Sequence, residues 1–227
     1  MTRKALVIGA TGATGRALVA ALLQNPGFSS VETFVRRKSG LSHEKLAEHV
    51  IDFADEKAWS HLVAGDVLFS ALGTTLKAAG GKAAQWAVDY TAQLAFARAA
   101  RANGVPAYVL ISSLGANPDS GSFYFSMKGK LDREVSALGF ERTVILRPPS
   151  LIRDDLQRGS EKLTLGVLRI LSAIGLLRAW RPMRVRDLAQ AMIAACEAPA
   201  GTWTVSGESL RKLAGEGEKA VPAVFTK

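Results

Sequence analysis

Several residue types that mark common protein classes are scarce in this chain of 227 residues. Its single cysteine, Cys196, excludes an internal disulfide and is typical of a reducing compartment. Its three histidines have no spacing that suits a metal site. Its longest apolar stretch, Leu163–Leu177, includes Arg169 and is shorter than the roughly 20 residues that span a bilayer. We therefore expect no disulfide scaffold, no metal site and no membrane span.

Positive charge is in excess but is not concentrated in one block. The formal net charge is +9 at pH 7, and a basic protein attracts phosphate groups on nucleic acids, lipids or cofactors. The densest group, Arg178, Arg181, Arg184 and Arg186, is interpreted as a solvated face or as partners of carboxylates. We expect no nucleic-acid partner. Because the N-terminal apolar run is too short for a signal peptide, we expect a cytoplasmic protein.

Apolar runs alternate with helical patterns along residues 5–148. The predicted strands are Ala5–Ile8, Val31–Val35, His49–Asp52, Asp66–Leu72, Ala107–Ser112 and Thr143–Leu146. The predicted helices are Gly15–Gln24, Glu56–Leu62, Lys82–Asn103 and Phe123–Leu138. This alternation predicts an α/β fold, a Rossmann-like doubly wound parallel sheet.

The pattern changes after Pro148-Pro149. A polar loop leads into the apolar stretch 163–177, followed by a helix at Val185–Glu197, a short strand at Thr202–Val205 and a polar tail. This part has too few residues to bury a core of its own. We predict a single domain, 1–227, in which residues 1–148 form the cofactor-binding core and residues 149–227 a small C-terminal substrate-side lobe.

Three glycines with a spacing of three follow the first predicted strand, in the segment Gly9–Arg16. Gly9 permits a sharp turn, Gly12 lets the main chain approach phosphate oxygens, and Gly15 lets the next helix pack on its strand. The start of that helix offers free N–H groups to an anion. The residues predicted to bind a dinucleotide pyrophosphate are Gly9, Thr11, Gly12, Ala13, Thr14 and Gly15.

The end of the second predicted strand decides which nicotinamide cofactor is expected. An enzyme for NAD(H) places Asp or Glu there to bind the ribose 2′-hydroxyl, whereas this chain has Arg36 and Arg37. A guanidinium pairs in bidentate fashion with a 2′-phosphate, so we expect NADP(H).

Two further segments at strand ends complete the expected cofactor site. Asp52 and Phe53 follow the third strand and are predicted to flank the adenine. Leu72, Gly73 and Thr74 end the fourth strand, where small residues let a cofactor cross the sheet at its switch point.

Ser113, Tyr124 and Lys128 form the predicted catalytic group. Tyr124 and Lys128 are four residues apart in a predicted helix and so share one face. A protonated lysine lowers the pKa of a nearby phenol, which suits Tyr124 to donate a proton to a carbonyl. Ser113 would bind the developing alkoxide and Lys128 would also hold the nicotinamide ribose. Ser112 is an alternative to Ser113, because only one of two successive side chains faces the site.

Together these motifs resemble an atypical short-chain dehydrogenase/reductase, most closely the Tat-interactive protein 2-like group of NADPH-binding oxidoreductases. The resemblance covers nearly the whole chain and includes the Arg147-Pro148 turn, which it places near the nicotinamide amide, so Pro148 joins the predicted cofactor site. It implies a Rossmann-like sheet and hydride transfer. The group also contains members with regulatory roles.

The function expected from these features is an NADP(H)-dependent oxidoreductase that reduces a small carbonyl or quinone. The main alternative is an NADPH-binding, redox-sensing regulatory protein with little or no turnover. A nucleotide-sugar epimerase shares the same residues but needs a larger lobe, and related flavin reductases typically lack the Tyr and Lys pair. Expected partners are a small-molecule substrate and, at most, a second copy in a homodimer.

Overall fold

Parallel strands form the central sheet of the computed structural model, which describes residues 2–152 and 181–225. The strands are β1 Arg3–Ile8, β2 Phe28–Val35, β3 Leu46–Val50, β4 Val67–Ser70, β5 Ala107–Ile111, β6 Arg142–Arg147, β7 Leu151–Ile152, β8 Met183–Arg184 and β9 Gly201–Ser206. Seven of them lie in the order β3-β2-β1-β4-β5-β6-β9, and β7 pairs with β8 separately. The order reverses between β1 and β4, which is where ligands bind in such sheets.

Helices connect the strands and cover both faces of the sheet. They are α1 Ala13–Gln24, α2 Glu56–Trp59, α3 Leu76–Ala79, α4 Lys82–Trp86, α5 Gln93–Ala102, α6 Phe123–Ser136, α7 Val185–Ala195, α8 Gly207–Glu216 and α9 Val221–Val224. A π-helical segment, Ala87–Ala92, joins α4 to α5, so the predicted helix Lys82–Asn103 is one helix with a local widening. Short 3₁₀ turns follow α2 and α8.

The sheet is buried on both faces because its central strands are apolar at successive positions. In β1, Ala5 and Val7 face one hydrophobic cluster, while Leu6 and Ile8 face the other. The first cluster includes residues of α1, α7 and α8, and the second includes residues of α5 and α6. These two helical layers confirm the predicted doubly wound Rossmann-like fold.

The C-terminal residues differ from the sequence prediction. The predicted polar tail is wrong, because residues 207–224 are mostly helical and bury Leu210, Leu213 and Val221. The apolar residues of this segment recur at helical spacing and pack against α7. The sequence prediction considered only the polar composition of the segment and so missed these helices. β9 pairs in parallel with β6 in the main sheet. The division into a core of 1–148 and a lobe of 149–227 stays a prediction.

Two further predictions of single elements need comment. The third strand runs over Leu46–Val50 and not His49–Asp52, because its backbone pairs with β2 from Val31↔Leu46 to Val35↔Val50. The predicted apolar helix Leu163–Leu177 lies outside the described residues, as does Arg178 of the basic group.

The contact between α1 and the end of β1 leads to a stability prediction. A Cβ at Gly15 would lie 2.0 Å from the Gly9 carbonyl oxygen, so Gly15→Ala must push the helix off the strand. We expect this variant to lose at least about 2 kcal/mol of unfolding free energy in urea titrations. The matched control is Gly215→Ala in α8, where nothing lies within 4 Å and a gain of about 0.5–1 kcal/mol is expected. Equal stabilities for both variants would contradict the packing argument.

Candidate cofactor and catalytic site

The chain turns sharply from β1 into α1 at a corner that only glycine can form. Gly9 has φ +80°, and a Cβ there would lie 2.4 Å from the Ala71 carbonyl carbon and from the Leu72 nitrogen. The Gly12 N–H donates to the Gly9 carbonyl oxygen at 3.0 Å and closes the turn. Gly9 therefore packs directly against the backbone that follows β4, and Gly15 packs against Gly9.

Gly12 differs from the other two glycines in what surrounds it. A Cβ at Gly12 would meet, among the described residues, only the Gly9 carbonyl oxygen at 3.3 Å. It is the N-cap of α1, which has no side-chain cap and no acidic residue in its first turn. Close packing explains why positions 9 and 15 hold glycine far better than it explains the glycine at position 12. At Gly12 the missing side chain leaves room for a ligand at a helix N-terminus. This arrangement fits a dinucleotide pyrophosphate.

A cavity of about 850 Å³ lies at the carboxyl ends of β1, β4, β5 and β6. Ten of the predicted site residues line it: Gly12, Ala13, Thr14, Leu72, Gly73, Thr74, Ser113, Tyr124, Lys128 and Pro148. The cavity therefore joins the helix N-terminus to the predicted catalytic group. Further lining residues are Asp89, Ser112, Leu114, Phe125, Pro149, Leu151 and Val185.

The other predicted cofactor residues lie outside that lining. Gly9, Thr11 and Gly15 form the corner behind it. Arg36 and Arg37 are exposed and directly follow β2, whose Phe34 pairs with Ile8 of β1. This register places the two arginines at the carboxyl ends of the strands, on the same side of the sheet as the glycine turn between β1 and α1.

Asp52 and Phe53 have contacts within the protein. The Asp52 Oδ1 accepts a hydrogen bond from the Ala54 N–H at 2.9 Å. The Phe53 ring lies 5.4 Å from that of Phe96 and packs against the hydrophobic cluster. These contacts give both residues a local structural role, and their part in adenine binding stays a prediction.

Helix α6 carries Tyr124 and Lys128 on the face that lines the cavity. Tyr124 is 36% exposed and Lys128 only 4%. The Ser113 hydroxyl interacts with the Tyr124 phenol and acts to lower its pKa. Ser113 is thus the hydroxyl that faces the phenol, as the sequence prediction prefers.

Ser112 points to a different neighbour. It is buried beside the carboxyl of Asp132, which Arg147 contacts through its Nε at 3.0 Å and its Nη2 at 2.9 Å. Neither the Ser112 hydroxyl nor the Asp132 Oδ1 has a hydrogen bond of ordinary geometry within the described residues. Both serines line the cavity, but the Ser113 hydroxyl lies beside the Tyr124 phenol and the Ser112 hydroxyl lies beside the Asp132 carboxyl.

The pKa of Tyr124 differs from the sequence expectation. Burial raises it, and the carboxylates of Asp89 and Asp132 raise it further, against the lowering effect of Ser113. Lys128, which the sequence predicts to lower this pKa, is not among the groups that shift it. Burial lowers the pKa of Lys128 itself, while Asp89 and Asp132 oppose this change. The phenol is therefore held in its protonated form, which is the form that donates a proton.

Three buried polar residues at the site were missed by the sequence prediction. Gln85, Asp89 and Gln93 are each at most 4% exposed and are spaced four residues apart along one helix. The signal was present, because polar residues at that spacing in an alanine-rich helix define one polar stripe. Its direction toward β4 could not be read from the sequence.

The fold and this cavity are those of an NAD(P)-binding domain. A family model described as NAD(P)H-binding matches residues 9–199, and the chain belongs to that family. Solved structures support the fold alone. UDP-glucose 4-epimerase from Thermotoga maritima aligns with a TM-score of 0.67 at 13% identity, over 94% of this chain and 83% of its own. A short-chain dehydrogenase/reductase superfamily protein from Agrobacterium tumefaciens with bound NAD aligns with a TM-score of 0.67 at 21% identity. The alignment covers 89% of this chain and 77% of that protein.

Curated relatives are similar in sequence. The mitochondrial protein fmp52 of Aspergillus fumigatus is 42% identical over 63% of this chain and 64% of its own length. FMP52 of Saccharomyces cerevisiae is 38% identical over 65% of each, so the chain spans just under two thirds of both relatives. The fmp52 of Aspergillus niger is 36% identical over 77% of this chain and 79% of its own.

These relatives correct one expectation. All three are named as mitochondrial proteins, so the prediction of a cytoplasmic protein is wrong. It rested on the absence of a signal peptide, which does not distinguish between intracellular compartments. In the part of the chain that the structure describes, no helix is long and apolar enough to cross a membrane. Across residues 2–152 and 181–225, no cluster of three or more His, Cys, Asp or Glu could hold a metal ion.

The different surroundings of the glycines predict separable effects on binding and stability. Gly12→Ala is expected to weaken NAD(P)H binding at least tenfold, because the new methyl group occupies the approach to the helix N-terminus. Its unfolding free energy should fall by less than about 1 kcal/mol, since the methyl group meets a single atom. Calorimetric titration and urea unfolding measure the two quantities. Wild-type affinity in this variant would exclude Gly12 from the phosphate site.

Proposed function

We propose that the chain is an NADP(H)-dependent oxidoreductase that transfers hydride to a small carbonyl or quinone substrate. One observation carries the proposal. The open N-terminus of α1 and the group Ser113, Tyr124 and Lys128 line the same cavity at the switch point of the sheet. A dinucleotide held at the first end brings its reactive ring toward the second.

The residues of the chain would divide the chemistry as follows. When bound, the cofactor would be the source of the hydride that the carbonyl carbon accepts. Tyr124 donates its phenolic proton to the carbonyl oxygen, which becomes a hydroxyl. Ser113 donates a hydrogen bond to the same oxygen while its negative charge develops. Lys128, with its positive charge next to the phenol, stabilises the phenolate that remains and binds the nicotinamide ribose.

The preference for NADP(H) rests on the basic end of β2. Arg36 and Arg37 are exposed, and an exposed guanidinium can pair with a 2′-phosphate. Asp52 and Phe53 would flank the adenine at the next strand end. Leu72, Gly73 and Thr74 would lie under the middle of the cofactor, and Pro148 near the nicotinamide.

The substrate end of the cavity favours an apolar molecule. Leu114, Phe125, Pro149, Leu151 and Val185 line it, and Leu151 is 36% exposed. Among the described residues, these apolar side chains suit a flat or aliphatic carbonyl compound. This supports reduction of a quinone or aldehyde over epimerase chemistry, although epimerases share the fold.

Finer features of the chain belong to the same proposal. We place it near the Tat-interactive protein 2-like group because of its glycine spacing, its Ser, Tyr and Lys set and its Arg147-Pro148 turn. Residues 1–148 would act as the cofactor-binding core and residues 149–227 as the substrate-side part, in a monomer or a homodimer.

Cofactor choice is tested by reversing the charge at the end of β2. Arg36→Glu should weaken NADPH binding by at least thirtyfold, because a charge-assisted pair worth about 2 kcal/mol becomes a repulsion. NADH binding should stay within about threefold of the wild type, since NADH lacks the 2′-phosphate. Calorimetry measures both affinities. Arg133→Ala, on the exposed face of α6, serves as the control and should change neither value.

The proton donor is tested with Tyr124→Phe. After a panel of quinones and aldehydes has identified a substrate that oxidises NADPH, this variant should lower kcat by a factor of about 10²–10⁴. Its affinity for NADPH should be unchanged, because the lost hydroxyl faces the substrate. Tyr90→Phe, on the neighbouring helix, is the matched control. Tight NADPH binding by the wild type with no oxidation by any compound would favour the sensing protein instead.

A further inference from the structure

A glycine in the middle of α6 lies against the backbone of the segment that joins β5 to this helix. We define that segment, residues 112–122, as the serine loop, because it carries Ser113. Gly129 is buried, and a Cβ there would lie 2.2 Å from the Asn117 carbonyl carbon and from the Pro118 nitrogen. Neither partner can rotate away from a methyl group, because both atoms belong to the main chain. The serine loop therefore approaches α6 to a distance that only glycine allows at position 129.

Intrinsic helix preference does not explain this glycine. Glycine in the interior of a helix is about 1 kcal/mol less favourable than alanine, and α6 continues without a break from Phe123 to Ser136. The overlap that a Cβ at Gly129 would produce is comparable with those at Gly9 and Gly15, where backbone packing requires glycine. The close approach of the serine loop is therefore the physical reason for a glycine in α6.

Hydrogen bonds hold the same stretch of the serine loop to α6. The Asn117 N–H donates to the Phe125 carbonyl oxygen at 3.1 Å. The Ser126 hydroxyl donates to the Pro118 carbonyl oxygen at 2.9 Å. Phe125 and Ser126 lie in the first turn of α6, one turn before Gly129. The serine loop thus contacts two successive turns of the helix and has a defined position on it.

The serine loop also carries Ser113 to the cavity. The Ala116 N–H donates to the Ser113 carbonyl oxygen at 3.0 Å, which closes a turn directly before Asn117. The Ser113 hydroxyl lies beside the Tyr124 phenol, and both residues line the cavity. Because Ser113 belongs to the loop and Tyr124 to the helix, their separation depends on how closely the loop approaches α6.

Burial decides whether the loop or the helix moves when position 129 carries a larger side chain. Leu131 and Val135 of α6 are fully buried in a hydrophobic cluster, so movement of the helix would disrupt the core. Asn117 is exposed and Pro118 only half-buried, so the serine loop can move toward solvent. The loop must move by about 1 Å to restore a van der Waals separation from an alanine methyl group at position 129.

We propose that Gly129 is a positioning residue, whose missing side chain sets the separation between Ser113 of the serine loop and Tyr124 of α6. The placement of the loop on the helix stands on the contacts of Asn117 and Pro118. The consequence rests on the proposed function, in which the two hydroxyls donate to one substrate oxygen. A side chain at position 129 would leave both hydroxyls in the protein but move them apart.

The consequence is tested with Gly129→Ala and the substrate that the panel of quinones and aldehydes identifies. We expect kcat to fall by a factor of about 10–10², because a displacement of about 1 Å is enough to disturb a reacting geometry. Affinity for NADPH should stay within about threefold of the wild type, since the glycine turn between β1 and α1 is untouched. An equal loss of affinity would overturn the inference, because it would indicate a general distortion of the cavity.

Two further variants make the kinetic result specific. Gly215→Ala is the matched control, because Gly215 is also a helical glycine but has nothing within 4 Å of its Cβ position. This variant should have the kcat and the NADPH affinity of the wild type. In the Ser113→Ala background, the hydroxyl whose position matters is absent, so Gly129→Ala should lower kcat by less than about twofold. Multiplicative losses in that double variant would overturn the inference.

Amide hydrogen exchange in the cofactor-free protein tests the placement of the loop without any activity. In Gly129→Ala, the Asn117 N–H moves away from the Phe125 carbonyl oxygen and should exchange at least about tenfold faster than in the wild type. The Leu131 N–H, within α6, should keep its wild-type rate. An unchanged rate for the Asn117 amide would overturn the inference.

A milder variant applies even if Gly129→Ala fails to fold. Ser126→Ala removes only the hydrogen bond to the Pro118 carbonyl oxygen. It should speed exchange of the Asn117 amide by a factor of about 5 and lower kcat by a similar factor. Wild-type values of both quantities would overturn the inference. If the wild type oxidises NADPH with no compound, the proposed function fails, while the exchange rates still decide whether Gly129 positions the serine loop.

Discussion

The contact on which the rest of the site depends is one of backbone against backbone, at the corner where β1 passes into α1. Gly15 packs on the Gly9 carbonyl, and Gly9 in turn packs on the peptide between Ala71 and Leu72. No side chain is involved, so the distances are set by main-chain geometry with little freedom to relax. Backbone contacts alone therefore fix the N-terminus of α1 relative to the segment after β4. Gly12, which is free of such packing, is left to face the cavity.

Local patterns explain why much of this could be predicted from the sequence. The glycine spacing, the apolar strands and the four-residue step from Tyr124 to Lys128 all depend on residues that are close in the chain. The structure turns Ser113 toward the phenol and Ser112 toward Asp132, and the catalytic role of Ser113 stays a prediction. Non-local contacts account for what was missed. The strand at Leu46–Val50 is set by its pairing with β2, and Asp89 accepts a hydrogen bond from the Thr74 N–H, which lies on another segment.

The buried charges near the cavity form two pairs of unequal character. Arg147 and Asp132 contact each other directly, so that pair ties β6 to α6 and is largely self-contained. Lys128 and Asp89 are both buried and both line the cavity. Buried pairs contribute little to stability on balance because desolvation opposes their attraction. Lys128 and Asp89 are therefore accessible from the cavity, whereas Arg147 and Asp132 satisfy each other.

The order in which the strands occur in the chain has a consequence for how the protein is made. β6 lies second from the edge of the sheet, and the strand that covers its outer side, β9, comes from residues 201–206. During translation, the unpaired amides and carbonyls of β6 stay available until those late residues leave the ribosome. A sheet edge left open in this way invites pairing with another nascent chain. A chain truncated before residue 201 would therefore keep the glycine turn between β1 and α1 but leave β6 as an open sheet edge, and it would tend to aggregate.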